Sequence, residues 1–125
     1  MDQGVVSVVL LRRALQPAKL GAGYKQYVYN PNMIRTFADG ETEGFFATGK
    51  SRRIPPAIRA RAAMRLAQLN AAVDVEDLRV PPSNRLELLI GDRAGQWSIR
   101  INGQWRVCFR FAAGDAFDVV IVDYH

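Results

Sequence analysis

The hydrophobic pattern divides the chain near Asn30-Pro31-Asn32-Met33. Upstream, Gly21-Ala22-Gly23 and the cluster Tyr24, Tyr27, Tyr29 sustain neither a helical nor a strand period. Downstream the periods are clear. Ile34-Arg35-Thr36-Phe37 reads as a short strand. Residues 39–49 read as a short helix entered through Asp39, whose side chain can accept from free backbone N–H groups, with Phe45 and Phe46 toward the core and Gly49 as the stop. Pro55 and Pro56 prepare a second helix, because proline is tolerated in a first turn. Across residues 57–72 the positions Ile58, Ala62, Leu66, Leu69 and Val73 form one apolar stripe. Arg61, Arg65 and Gln68 line another side.

Residues 74–83 read as a loop ending in Pro81-Pro82, and beyond it the period switches to two. Leu86, Leu88 and Ile90 alternate in one strand, Trp97, Ile99 and Ile101 in the next, and Trp105, Val107, Phe109 and Phe111 in a third. A fourth, residues 117–122, is almost wholly apolar, which predicts a central place in the sheet. Asn102-Gly103 marks a hairpin. A two-residue loop would pair Ile99 with Arg106 and expose half the aromatics. A three-residue loop pairs Ile101 with Trp105 and Ile99 with Val107, so the pattern predicts an odd-length loop or a bulge with Gly103 at positive φ. The opposite face then carries Ser98, Arg100, Arg106, Cys108 and Arg110. The prediction is an α+β domain, two N-terminal helices packed on a mainly antiparallel sheet of four to five strands. Residues 1–32 read as an N-terminal extension, upstream read-in or a disordered arm, and residues 33–125 as the folded domain.

Composition adds bounds. The 125 residues fit one domain, and 49% hydrophobic with 23% charged residues is the balance of a folded globular chain. The net charge is +5, of which residues 1–32 supply +3 and the domain only +2. Of the domain's thirteen basic residues all but Lys50 are Arg, whose planar fork matches phosphate. One cysteine, Cys108, and one histidine, His125, exclude an intramolecular disulfide and a Cys/His zinc cluster. The apolar run Val5–Leu11 is too short to span a bilayer, and Arg12 and Arg13 follow it where a secretory signal would place its charges before. A cytoplasmic protein with no membrane association and no cofactor is expected.

A basic sheet face and a terminal histidine suggest phosphodiester chemistry. RNA cleaves itself when its 2′-hydroxyl is deprotonated and its 5′-oxygen leaves, so the protein need supply a proton carrier and positive charge at the phosphorane. His125 is the titratable group near neutrality. Arg106 is the cation that the hairpin register aims at the face, and Tyr124 offers a stacking ring. Each has a bland counterpart: a frayed terminal histidine, a solvated arginine and a core tyrosine.

The run Gly91-Asp92-Arg93-Ala94-Gly95-Gln96-Trp97-Ser98-Ile99-Arg100-Ile101-Asn102, followed by Gln104-Trp105-Arg106-Val107-Cys108-Phe109 and the ending Asp123-Tyr124-His125, resembles the signature of HigB-like toxins of the RelE/ParE superfamily, the plasmid-maintenance killer family. Ser51-Arg52-Arg53-Ile54-Pro55 and Asp77-Leu78-Arg79-Val80-Pro81-Pro82 resemble its earlier landmarks, and the likeness runs from Met33 to His125. The resemblance implies the RelE-like microbial RNase fold and a type II toxin that cleaves mRNA in the ribosomal A site by metal-free 2′-hydroxyl attack. It implies Arg106 as the transition-state cation, Tyr124 and His125 as base-positioning and proton-transfer groups, and Asp123 as their support. Arg93, Arg100, Arg110, Arg61 and Arg65 are the expected RNA- or ribosome-binding residues. Its partners would be a HigA-type helix-turn-helix antitoxin, the ribosome and mRNA, with operator DNA reached only through the antitoxin. The chain departs from the pattern at Ile90, where many members carry Lys, and at Glu87, where some carry His. That departure leaves a second reading open, a catalytically impaired homologue acting as an antitoxin-binding and operator co-repressor module.

Overall fold

A computed structural model describes the backbone of residues 15–20 and 24–29 and the whole of residues 33–124. Strands β1 (Leu15–Leu20) and β2 (Tyr24–Tyr29) pair antiparallel as a hairpin, a local order that the sequence period does not announce. The apolar run Val5–Leu11 and His125 lie outside the described residues.

Residues 33–38 come next, then helix α1 (Gly40–Thr48) and helix α2 (Arg59–Ala71). Strands β3 (Glu87–Leu88), β4 (Trp97–Arg100), β5 (Trp105–Ala112) and β6 (Asp115–Asp123) follow as an antiparallel sheet in that order. The architecture is α+β, as the pattern predicts. Asp39 caps α1 by accepting from Thr42 N at 2.8 Å, and Gly49 ends it at φ 75°, a left-handed turn that glycine adopts without a Cβ clash. Among the described residues no helix is long and apolar enough to cross a membrane.

The core lies between the two helices and one face of the sheet. Phe45, Ala62, Leu66 and Leu69 meet Ile99, Ile101, Val107, Phe109 and Ile121, all essentially fully buried. Phe46 is half-buried and packs on Phe37, ring centroids 5.6 Å apart. The expected stripe on α2 breaks at its end. The helix stops at Ala71, Ala72 turns extended and buried, and Val73 is exposed instead of reaching the core.

Register in the β4–β5 hairpin follows the aromatic pattern: Ile99 pairs with Val107 and Trp97 with Phe109. Gly103, however, is not among the glycines at positive φ. The Asn102 side chain closes the turn, its Oδ1 accepting from Gln104 N (2.8 Å) and Trp105 N (2.7 Å), so a left-handed glycine is not needed. A second correction concerns residues 86–90. Only Glu87–Leu88 pair, and the chain then leaves the pleat for a 3₁₀ turn at Gly91–Arg93. Alternation is lost there: Leu89 turns inward, while Leu88 and Ile90 are exposed.

The third correction concerns β6. It is the last strand of the antiparallel sheet, not a central one. Its outer edge is nevertheless occupied. Residues 33–38 run parallel to it, bridging Ile34 to Ala116 and Phe37 to Val119, with bonds that include Arg35 N to Ala116 O (2.7 Å) and Ala38 N to Val119 O (2.9 Å). Where that segment turns away, side chains take over: Ile121 N donates to Thr42 Oγ1 (3.1 Å), and Arg53 donates to Ile121 O (3.1 Å). This flanking explains why so apolar a strand can sit last in the ladder.

Candidate active site

The face of the sheet turned away from the core is built by alternation. Ser98 and Arg100 on β4 stand opposite Cys108 and Arg106 on β5, which stand opposite Val120 and Val122 on β6. A bulge in β6 sets this parity. Cys108 pairs with Val120 but Arg110 with Phe117, so Asp118 and Val119 together oppose Phe109. Asp118 takes the left-handed conformation at φ 53°, exposes its side chain, and donates its N–H to Thr36 Oγ1 at 2.8 Å. The extra residue lets Ala116, Val119 and Ile121 all enter the core, and alternation then turns Val122 and Tyr124 to the Arg106 side.

Arg106 is held from three directions. One terminal nitrogen donates to Ser98 Oγ at 3.0 Å, the other pairs with Glu87 Oε1 at 3.0 Å, and its guanidinium carbon lies 5.3 Å from the centroid of the Tyr124 ring. Its side chain retains 17% exposure, so the cation is fixed yet reachable. Of five guanidinium donors, Ser98 and Glu87 engage one terminal nitrogen each, which leaves donors for an incoming oxyanion. Tyr124 follows β6 and is anchored by its N–H to Gln104 O at 2.6 Å. Glu87 faces Arg106 because Glu87 and Ser98 are register partners on β3 and β4.

Arg93 approaches the same face from the turn after β3, with its guanidinium on Gln96 Oε1 at 3.3 Å. Arg93 and Arg106 both act on the buried Cys108 thiol. Burial pushes that thiol's pKa up, and the two cations pull it down only in part. Arg100 lies directly across from Arg106 in the ladder. Arg110 continues the face but is engaged by Asp118 at 3.5 Å and packs against Gly95, where an added Cβ would stand 3.0 Å from its guanidinium.

Three expected site residues stand elsewhere. Asp123 lies on the opposite side of its strand from Tyr124 and accepts from Gln104 Nε2 at 3.0 Å. Arg61 is exposed on α2, at the open end of β4. Arg65 is only 3% exposed, and its Nε donates to Arg100 O at 2.8 Å. Because β3 covers β4 only at Trp97 and Ser98, the Arg100 carbonyl needs this partner. Burial and the neighbouring Arg61 lower the Arg65 pKa from its ordinary value. Arg65 is therefore a strut that holds the end of β4, with most of its side chain beneath the surface.

The sequence reading missed Glu87 as the partner of Arg106, although placing Leu86 and Leu88 on one face already puts Glu87 on the other. It also missed Thr42 and Arg53, which hold the edge of β6. No local period signals them, because the bonds span 79 and 68 residues of sequence.

One hollow of the described surface is lined by Ala57, Ile58, Ala60, Arg61, Met64, Ile101 and Asn102. Its single charged residue offers no acid–base pair, so the chemistry is placed on the sheet face. Among the described residues no group of three His, Cys, Asp or Glu is arranged to hold a metal ion.

Comparison with known proteins finds relatives of the chain. A family described as the RelE-like toxin of the type II toxin-antitoxin system HigB matches residues 35–125. Toxin HigB-1 of Vibrio cholerae serotype O1 is 38% identical over 90 residues, 71% of this chain and 95% of that protein. Endoribonuclease HigB of Proteus vulgaris is 32% identical over 93 residues, 74% of this chain and 100% of that protein. An uncharacterized protein of Haemophilus influenzae is 33% identical over 76 residues, 60% of this chain and 75% of that protein.

Proposed function

The chain belongs to the HigB-like family of RelE-like toxins of type II toxin-antitoxin systems, and from that premise we propose that it is an endoribonuclease cleaving mRNA in the ribosomal A site. The observation that carries this reading is the fixed guanidinium of Arg106, clamped by Ser98 and Glu87 beside Tyr124.

In the proposed reaction the substrate's 2′-hydroxyl attacks the adjacent phosphate without a metal ion. Charge builds on the equatorial oxygens of the phosphorane, where Arg106, already oriented, stabilises it without reorganising. Tyr124 stacks on a base and fixes the in-line geometry. A 2′,3′-cyclic phosphate closes as the P–O5′ bond breaks, the 2′-hydroxyl proton passing to His125 and a proton from His125 to the departing 5′-oxygen, while Asp123 ties the end of β6 to Gln104. Arg93 and Arg110 add positive field along the strand path. A cation preset for a transition state supports catalysis over the antitoxin-binding alternative, and so does a relative that is itself named an endoribonuclease.

A type II system pairs the toxin with an antitoxin. We propose a HigA-type helix-turn-helix protein, through which alone the toxin reaches operator DNA. Action on the ribosome places the protein in the cytoplasm.

The test is mRNA cleavage on programmed ribosomes by untagged protein, compared with Arg106→Ala and His125→Ala. Removing a preorganised donor to an oxyanion costs roughly 10²–10³ in rate, so Arg106→Ala should fall by that factor. Arg106→Lys keeps the charge but loses the fork and should recover only part. Equal cleavage by wild type and Arg106→Ala would sink the assignment. Equal cleavage of naked mRNA would sink the ribosome dependence.

A further inference from the structure

At the open end of β4, a second group of arginines gathers away from the Ser98–Glu87 clamp. A cleft of about 250 Å³ is lined by Arg61 and Arg65 from α2, Arg85 before β3, Arg100 at the end of β4, and Ser83 with the turn at Ile101–Gly103. No Asp or Glu lines it. Among the described residues none of these four arginines forms an ion pair, whereas Arg35, Arg53, Arg79, Arg106 and Arg110 all do.

The cluster is built rather than incidental. Arg65 is buried, spends Nε on Arg100 O and directs its terminal nitrogens toward Gln68 and Ser83. Arg85 is held in the left-handed conformation at φ 45°. The Arg100 guanidinium rests beside Gly103, 3.6 Å from where a Cβ would stand. Like charges collected without a counter-charge repel one another, and a polyanion relieves that cost while releasing its own counterions.

We infer that this cleft binds a phosphodiester group of RNA, as a second anchor beside the phosphate held at Arg106. Arg100 links the two sites. It stands directly across from Arg106 in the ladder on the same sheet face, while its guanidinium lines the cleft. A strand seated at Arg106 therefore continues along Arg100 toward Arg61 and Arg85, with Arg65 supplying field from below. The inference rests on the reading of the chain as an RNA-cleaving toxin. The phosphate belongs to the mRNA substrate or to ribosomal RNA, and the two arms of the test separate them.

The test uses the full chain carrying Arg61→Gln and Arg85→Gln together, two exposed positions outside the core. Arg65 is left intact because its loss would unsettle β4. Binding to a fluorescent unstructured oligoribonucleotide and to empty ribosomes is measured against salt. Each lost phosphate contact reduces the slope of log affinity against log salt by about 0.7 for single-stranded RNA. The double variant should thus lose roughly 1.4 in slope and about tenfold in affinity, uniformly across sequences. A loss on the oligoribonucleotide assigns the cleft to the substrate strand. A loss on ribosomes alone assigns it to ribosomal RNA. Unchanged affinity and slope in both arms overturns the inference, and so does absence of RNA binding by wild type. Arg106→Ala, measured alongside, should lose cleavage but keep the cleft's share of the salt slope, so failure of the cleft and failure of the catalytic assignment give different patterns.

Discussion

Replacing Thr42 by Val removes one hydroxyl and keeps the side chain's shape. That hydroxyl is fully buried and accepts from two donors, Ile121 N at 3.1 Å and an Arg53 guanidinium nitrogen at 3.2 Å. Ile121 is register partner to Val107, but its N–H faces outward from the sheet toward Thr42. Valine would leave that N–H buried and unpaired. An orphaned buried donor costs about 1–3 kcal/mol, whereas Arg53 keeps Asp39 (2.7 Å) and Ile121 O (3.1 Å) and loses little. We expect Thr42→Val to destabilise by about 2 kcal/mol, or roughly 8–16 °C in Tm for a domain of this size. Thr42→Ser keeps the hydroxyl and deletes one buried methyl, which costs about 1 kcal/mol. The assay is urea denaturation of all three proteins, with amide exchange at Ile121 as a local probe. Serine must be the milder change, and Ile121 must lose protection only in the valine variant. If valine is as stable as wild type, or serine is the worse substitution, the hydroxyl does not hold the edge of β6. The perturbation also reaches function, since Tyr124 lies three residues beyond Ile121 and should be less well positioned over Arg106.

The β5–β6 turn places Ala113 at φ 52° before Gly114 at φ 83°. Asn tolerates that left-handed position better than Ala, so Ala113→Asn should raise stability by about 0.5–1 kcal/mol, and a lower urea midpoint would contradict this. Burial raises the Asp39 carboxyl's pKa, but hydrogen bonds from Arg53 and Thr42, with the Arg53 charge, outweigh burial and hold it below its ordinary 3.8. Its contribution is therefore present above about pH 4 and lost as pH falls through the depressed folded value. Asp39→Asn keeps a cap and loses the ion pair, so it should cost about 0.5 kcal/mol at pH 7, solvent screening included. Denaturation at pH 7 and pH 2.5 checks this, because the gap to wild type should close in acid. Cys108 is fully buried with its thiol pKa raised by burial, so a thiol reagent should label it only at the rate of opening. Rapid labelling of native protein at neutral pH would show the sheet face to be open at that point.

The one-dimensional pattern determined what depends on near neighbours. Asp39 and Gly49 delimit α1 by bonds within a few residues, and the alternating aromatics of β5 admit only one hairpin register that buries them. The same register puts Arg106 on the polar face, and the ordered motifs point to the family to which the chain belongs. The rest required distant parts of the chain to meet. Residues 117–122 are nearly all apolar and carry no parity, so nothing in them says which face Tyr124 joins. The bulge at Asp118 decides that, pinned by Thr36. Arg61 and Arg65 look like two members of one solvated helix face. The short span of β3 separates them, because it exposes the Arg100 carbonyl that draws Arg65 inward and leaves Arg61 outside. Local propensity and alternation are written residue by residue, whereas a hydrogen bond across 35 or 79 residues depends on where the fold brings unsatisfied edges together.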